Sequence, residues 1–203
     1  MRWAMLDAPI RRIVASPLDP LADGIVRLGI GANAVTISGF TMGLIAAALI
    51  ADESFLPAVG FLALNRLADV LDGTVARRTR ITALGAFLDT SLDLFVYAAI
   101  PFAFALAHQQ DALAATFLLT GLMVAAIPGL AARASVRDNG TGAPARPLIL
   151  CGHSETFIAF ALMCVTPRWM FSVIAYFYGV LCFFSGGAGI ASAIANLRTQ
   201  ARP

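Results

Sequence analysis

The chain has no lysine. All 14 of its basic residues are arginine, a bias from which no function follows. Charge of either sign is scarce, at 13% of residues, where a soluble domain averages about 25%. Cysteine is scarce too: Cys151, Cys164 and Cys182 are scattered, odd in number and set in or beside apolar runs, which argues for buried small hydrophobes and against a disulfide framework. There are only two histidines, far apart, and no cysteine cluster, so the usual zinc donors are missing. The N-terminus places Arg2, Asp7, Arg11 and Arg12 before any long apolar run and lacks the order of a signal peptide, so no cleaved leader is expected. No internal repeat is visible. The formal net charge of +2 points to no particular partner, and nucleic acid is not expected.

What is abundant is hydrophobicity: 59% of the 203 residues, with a mean hydropathy of +0.81. The composition predicts an all-α integral membrane protein with no soluble domain left over. Residues 1–30 mix apolar residues with charges and with Pro9, Pro17 and Pro20, and read as an amphipathic juxtamembrane segment on the membrane surface. Residues 31–203 then form one domain of six transmembrane helices. Ala34 to Ala51 is an uncharged run near the ~20 residues a span needs. The second span, 57–77, begins at Pro57, and the third runs over 82–107. A fourth covers 112–132, a polar connection is expected from Arg133 to Pro147, a fifth covers 148–166, and a long sixth covers 169–197.

Arginine placement orients the spans. The N-terminal segment, the turn between spans two and three, the connection after span four and the C-terminal tail carry 12 arginines, while the opposite side has only Arg168. Both termini are therefore expected in the cytoplasm. Spans two, three and five carry ionisable groups, which are costly in hydrocarbon and mark function, so these three should line one polar cavity. Ser185 to Gly189, rich in small residues, reads as a helix-packing face rather than a phosphate loop.

The richest charge lies between Asn65 and Asp93. On a helical hairpin turning near Arg80, Asp72 and Asp89 are centred on position 80.5, and Asp69 and Asp93 on 81. The two pairs thus face each other at matching depths. Residues three or four apart share a helix face, so Asp69 with Asp72, and Asp89 with Asp93, converge on one cavity. Carboxylates held this close in a low dielectric repel strongly unless positive charge lies between them. Hard oxygen donors suit Mg²⁺, Mn²⁺ or Ca²⁺. At about 1.5 Å per residue, the site lies roughly 12 to 20 Å from the turn, open to the cytoplasmic leaflet.

The segments DVLDGTVAR and GAFLDTSLD resemble the signature of the CDP-alcohol phosphatidyltransferase family, DxxDGxxAR followed by GxxxDxxxD. Asp69, Asp72, Gly73, Ala76, Arg77, Gly85, Asp89 and Asp93 meet every fixed position. The departure is the spacer Arg78 to Leu84, seven residues where the family usually has eight. The ANAVT stretch, Ala32 to Thr36, is similar to the family's Asn-x-x-Thr start of the first span. The resemblance implies a short bacterial-type member in the inner membrane, a homodimer, that moves a phosphatidyl group from CDP-diacylglycerol to an alcohol and releases CMP. It further implies two divalent cations, Mg²⁺ or Mn²⁺, on Asp69, Asp72, Asp89 and Asp93, with Asp93 as general base, and a CDP subsite of Asn33, Thr36, Gly73, Ala76, Arg77 and Gly85.

The acceptor is not specified by this signature. Arg66, three residues before Asp69, suits either a counter-ion or a phosphate contact. Arg133, Arg137 and Arg146 are candidates for an anionic acceptor such as a phosphorylated polyol. His153 and Glu155 are candidates for a polyol or a cationic acceptor, although Ser154 and Glu155 equally suit a helix start. Two alternatives remain: transfer of a phospho-head group from a CDP-alcohol to a lipid hydroxyl, and a divalent-cation transporter.

Overall fold

The structure is a computed structural model that describes residues 18–139 and 151–200, with side chains described for 18–131 and 151–195. Every regular element among these residues is a helix. Residues 18–27 form α1, followed by α2 (Ala32–Ala51), α3 (Phe55–Arg78), α4 (Ala83–Ala107), a 3₁₀ turn at Gln109–Asp111, α5 (Ala112–Asn139), α6 (His153–Val165) and α7 (Arg168–Gln200).

Among the described residues, four helices, within α2, α4, α5 and α7, are long and apolar enough to cross a membrane. Their outward faces carry Phe87, Phe102, Leu113, Phe177 and Phe184, all exposed, as lipid-facing helices require. The chain is thus an integral membrane protein. Of the six expected spans, the second and fifth differ from the rest for physical reasons. α3 has the length, with 24 residues, but carries Arg66, Asp69, Asp72, Arg77 and Arg78. α6 is apolar but has 13 residues, about 20 Å at 1.5 Å per residue against a hydrocarbon core of about 30 Å.

Local chemistry sets the boundaries. Pro57 sits in the first turn of α3, where the missing N–H costs no helical bond. α3 stops at Arg78, residues 79–82 turn the chain, and the Thr82 side chain caps α4 by accepting from the Gly85 amide at 3.0 Å. The turn falls near Arg80, as the hairpin reading expected. The connection expected from Arg133 begins later, because α5 continues to Asn139. Ala131, Ala132, Arg133 and Ala134 are good helix formers, and the breakers Gly140, Gly142, Pro144 and Pro147 all come afterwards. At α6 the N-cap is Gly152 rather than Ser154, which lies inside the helix and is buried.

α2 packs on α3 and α4, α5 packs on α4 and α7, and α6 packs on α3 and α7. The larger apolar core gathers Ile50, Leu62, Ile100, Phe104, Leu118, Phe160, Phe171 and Cys182, toward the end of the bundle away from residues 79–82. A smaller core near that turn joins Ala22 of α1 to Val35, Leu71 and Val75. α1 is also held by Arg78, which reaches Asp19 at 2.5 Å and Asp23 at 2.6 Å. Close approaches fix the bundle around the polar segment. A Cβ on Gly39 would fall 2.7 Å from the Ala68 Cβ, and one on Gly43 would fall 2.6 Å from Val96. Asn65 donates to the Gly39 carbonyl at 2.9 Å across the same α2–α3 contact. Of the small residues in α7, Gly186 packs tightly on Val124, whereas Gly187 faces open space.

Candidate active site

Between the two cores, α2, α3, α4 and α6 enclose a cavity of about 260 Å³. Asp69, Asp72 and Asp89 line it together with Arg66, Thr36, Asn33, Gly73, Ala76, Gly85 and His153. Carboxylate oxygens of Asp69, Asp72 and Asp89 lie within 4.8 Å of one another. A second group joins Asp69 and Asp93 to His153 within the same limit. The two levels expected from the hairpin are therefore present, and Asp69 belongs to both.

Each carboxylate is held differently. Asp72 is buried, and its Oδ2 accepts the Thr36 hydroxyl at 2.6 Å. Asp69 is paired with Arg66, whose Nη2 also donates to the Ser154 Oγ at 3.0 Å. Arg66 thus acts as a counter-ion that ties α3 to α6. Asp93 Oδ2 lies 3.0 Å from the His153 Nε2. The donor set suits a divalent cation: three convergent hard oxygens, one of them on a buried carboxylate whose hydroxyl partner is neutral, form a concentration of negative charge that a hard cation neutralises.

Away from the carboxylates the cavity wall is small. Gly73, Ala76, Ala86 and Gly85 come from the facing arms of the hairpin, and Ala32 and Asn33 from α2. A Cβ on Gly85 would meet the Asn33 Oδ1 at 3.0 Å and the Thr82 Oγ1 at 3.1 Å, so glycine keeps this wall recessed. The turn residues Arg80, Ile81 and Thr82 close the far end.

Three expected residues do not line this cavity, and the first of them, Asp93, lines two smaller recesses beside it that also include Asp69. Arg77 is exposed and donates to the Thr74 hydroxyl at 2.9 Å instead of lining the cavity, whereas Arg80, read in the sequence only as part of a turn, does line it. Of the acceptor candidates, His153 lines the cavity and Glu155 does not. Arg133 and Arg137 lie on the last turns of α5, where side chains are outside the described residues, and Arg146 lies outside them altogether. The sequence signal for Arg80 was its presence in the spacer, but only the path of residues 79–82 decides which spacer arginine turns inward.

The sequence model of the family described as CDP-alcohol phosphatidyltransferase matches residues 29–185. "Inner membrane protein YnjF" of Escherichia coli (strain K12) is 35% identical over 197 residues, covering 91% of this chain and 95% of that protein. The "archaetidylinositol phosphate synthase" of Methanothermobacter thermautotrophicus is 40% identical over 84 residues, 41% of this chain and 42% of that protein. Among solved structures, Mycobacterium tuberculosis phosphatidylinositol phosphate synthase with CDP-DAG bound superposes with a TM-score of 0.72 at 21% identity, covering 86% of this chain and 92% of that one. The same enzyme in complex with manganese and citrate gives a TM-score of 0.72 at 22% identity, with 86% and 87% covered. These two likenesses establish a shared fold. With the family match spanning most of the chain and the signature carboxylates gathered around Asp69, this protein belongs to the CDP-alcohol phosphatidyltransferase family, transferases of phospholipid synthesis.

Proposed function

We propose that the protein transfers a phosphatidyl group from CDP-diacylglycerol to the hydroxyl of an alcohol and releases CMP. The observation that carries this reading is the cavity itself, a small-residue cleft leading to the Asp69, Asp72 and Asp89 carboxylates, with Asp93 set against Asp69 beyond them. The acceptor oxygen attacks the lipid-side phosphorus, the bond from that phosphorus to the CMP oxygen breaks, and CMP leaves with the electron pair. Asp93 takes the hydroxyl proton. The Asp69, Asp72, Asp89 and Asp93 carboxylates would hold two divalent cations, Mg²⁺ or Mn²⁺, which would supply the positive charge that offsets the pyrophosphate and the departing CMP.

Gly73, Ala76 and Gly85 give the nucleotide room to approach the hairpin. Asn33 faces that room from α2, and Thr36 acts on it through Asp72. Arg80 joins this subsite in the place expected for Arg77. Relatives named as archaetidylinositol phosphate and phosphatidylinositol phosphate synthases favour a CDP-linked lipid donor over head-group transfer from a CDP-alcohol. A cation-transport reading leaves the DGxxAR segment and the family match unexplained. α3 and α6 complete a six-span bundle, shielded where they are polar or short by their neighbours. The helix over 18–27 lies along the cytoplasmic surface, both termini are cytoplasmic, and the protein is a homodimer; its place in a bacterial inner membrane agrees with the name of its YnjF relative.

The test is turnover by the purified protein with CDP-diacylglycerol, Mg²⁺ or Mn²⁺, and a panel of glycerol phosphate, inositol phosphate, inositol, serine, choline and phosphatidylglycerol. CMP and a new phospholipid should appear in equal amounts with one acceptor. Reaction only between a CDP-alcohol and diacylglycerol would reverse the direction assigned here.

A further inference from the structure

The geometry points to His153 as a positioning residue for Asp93, acting through a hydrogen bond from α6 rather than through contact with the acceptor. This rests on the reading of Asp93 as the proton acceptor and adds to it the group that aims the carboxylate.

His153 is the first residue of α6, and its Nε2 lies 3.0 Å from the Asp93 Oδ2. An ionised carboxylate only accepts hydrogen bonds, so the Nε2 must bear the proton and donate it. The ring is fixed on a second side by Tyr97, whose centroid lies 5.7 Å away at an interplanar angle of 62°. Tyr97 follows Asp93 by one helical turn and shares its face of α4. Ring and carboxylate are therefore referenced to the same helix. The start of α6 also brings the positive end of the helix dipole toward the Asp93 carboxylate.

The next residue repeats the arrangement. Ser154 is buried and accepts from Arg66, which is paired with Asp69. Two consecutive residues of α6 thus grip the two carboxylates of the deeper level, one directly and one through an arginine. With Oδ2 engaged by His153, rotation of the Asp93 carboxyl is restricted, and Oδ1 remains to receive the hydroxyl proton. This matters because the proton acceptor competes with the cation for the same carboxylate. Without the His153 bond, Asp93 is free to turn toward the positive charge and away from the acceptor.

The test uses the full-length protein with CDP-diacylglycerol and whichever acceptor the panel identifies, comparing H153A, H153Q and H153N. H153A should lower kcat by about 10- to 100-fold, the scale of a displaced catalytic group, with both KM values and the Mn²⁺ affinity measured by electron paramagnetic resonance unchanged. H153Q, whose amide N–H extends as far as Nε2, should recover most of kcat, and the shorter H153N should not. The Gln and Asn pair keeps the comparison open even where H153A fails to fold. A raised acceptor KM with kcat intact would make His153 an acceptor contact. Weakened Mn²⁺ binding would make it a metal ligand, and wild-type kcat in H153A, or no recovery with Gln, would remove the positioning role; each of these overturns the inference. No CMP release by the wild type with any donor overturns the transferase reading itself, a separate result.

Discussion

At the scale of single residues, the four aspartates are chemically alike and differ in what holds them. Asp72 is buried against Thr36, Asp69 is tied to Arg66, and Asp93 meets an imidazole. A carboxylate that must take a proton needs an oxygen not wholly committed to a cation, and Asp93 is the one on the far side of the shared Asp69. Asp93→Asn keeps the shape and an oxygen toward His153 but removes the proposed base. It should cut the rate of CMP release by roughly 10² to 10⁴-fold while CDP-diacylglycerol still binds, measured by turnover beside equilibrium binding. Gly85 makes a second prediction. An added methyl would press on Asn33 and on the Thr82 cap, so Gly85→Ala should raise the KM for the CDP-linked donor more than it lowers kcat. Steady-state kinetics with varied donor check this.

Much of this arrangement was legible in the sequence, because it depends on helical repeat alone. Spacings of three and four put Asp69 beside Asp72 and Asp89 beside Asp93, and a hairpin turning near Arg80, which would set the two pairs at matching depths, agrees with the turn found at residues 79–82. What was not legible depends on contacts between distant segments. His153 and Asp93 are sixty residues apart, and nothing local in either announces the bond. The exchange of Arg77 for Arg80 in the cavity wall is of the same kind, since both lie near a turn whose backbone path chooses between them.

At the scale of elements, two helix ends use the same closing turn with different residues. After α1, Ile30 donates to Ile25 and Gly29 to Val26, with Gly29 at φ 72°. After α2, Ser54 donates to Leu49 and Glu53 to Ile50, with Glu53 at φ 59°. Both are Schellman turns, whose left-handed residue is normally glycine. Glu53 carries the steric cost of that conformation, about 1 kcal/mol or slightly more. Glu53→Gly should therefore stabilise the protein by about 1 kcal/mol, and Gly29→Ala should destabilise it by a similar amount, as measured by thermal unfolding in detergent. The late end of α5 has a comparable local cause, the delay of its helix breakers to Gly140 and beyond. The shortness of α6 is set at Gly152, its N-cap.

At the scale of the molecule, the apolar core and the polar cavity occupy different halves of one bundle. Hydrophobic packing among α2 to α7 supports the half away from residues 79–82, and the half near that turn is free to hold the carboxylates. In the proposed orientation, which rests on the arginine count, that half faces the cytoplasm. A cysteine introduced at Pro203 should react with a membrane-impermeant maleimide only after spheroplasts are opened, and labelling in intact spheroplasts would invert the assignment. The central claim is that four carboxylates gathered on one hairpin perform cation-dependent transfer with release of CMP. The most direct measurement is CMP formed from CDP-diacylglycerol by the purified protein, first stripped with chelator and then titrated with Mg²⁺ or Mn²⁺. The account predicts no CMP in chelator, recovery on adding the cation, and no recovery in Asp69→Asn, which removes the carboxylate shared by both groups. CMP release at an undiminished rate in chelator, or in Asp69→Asn, would contradict it.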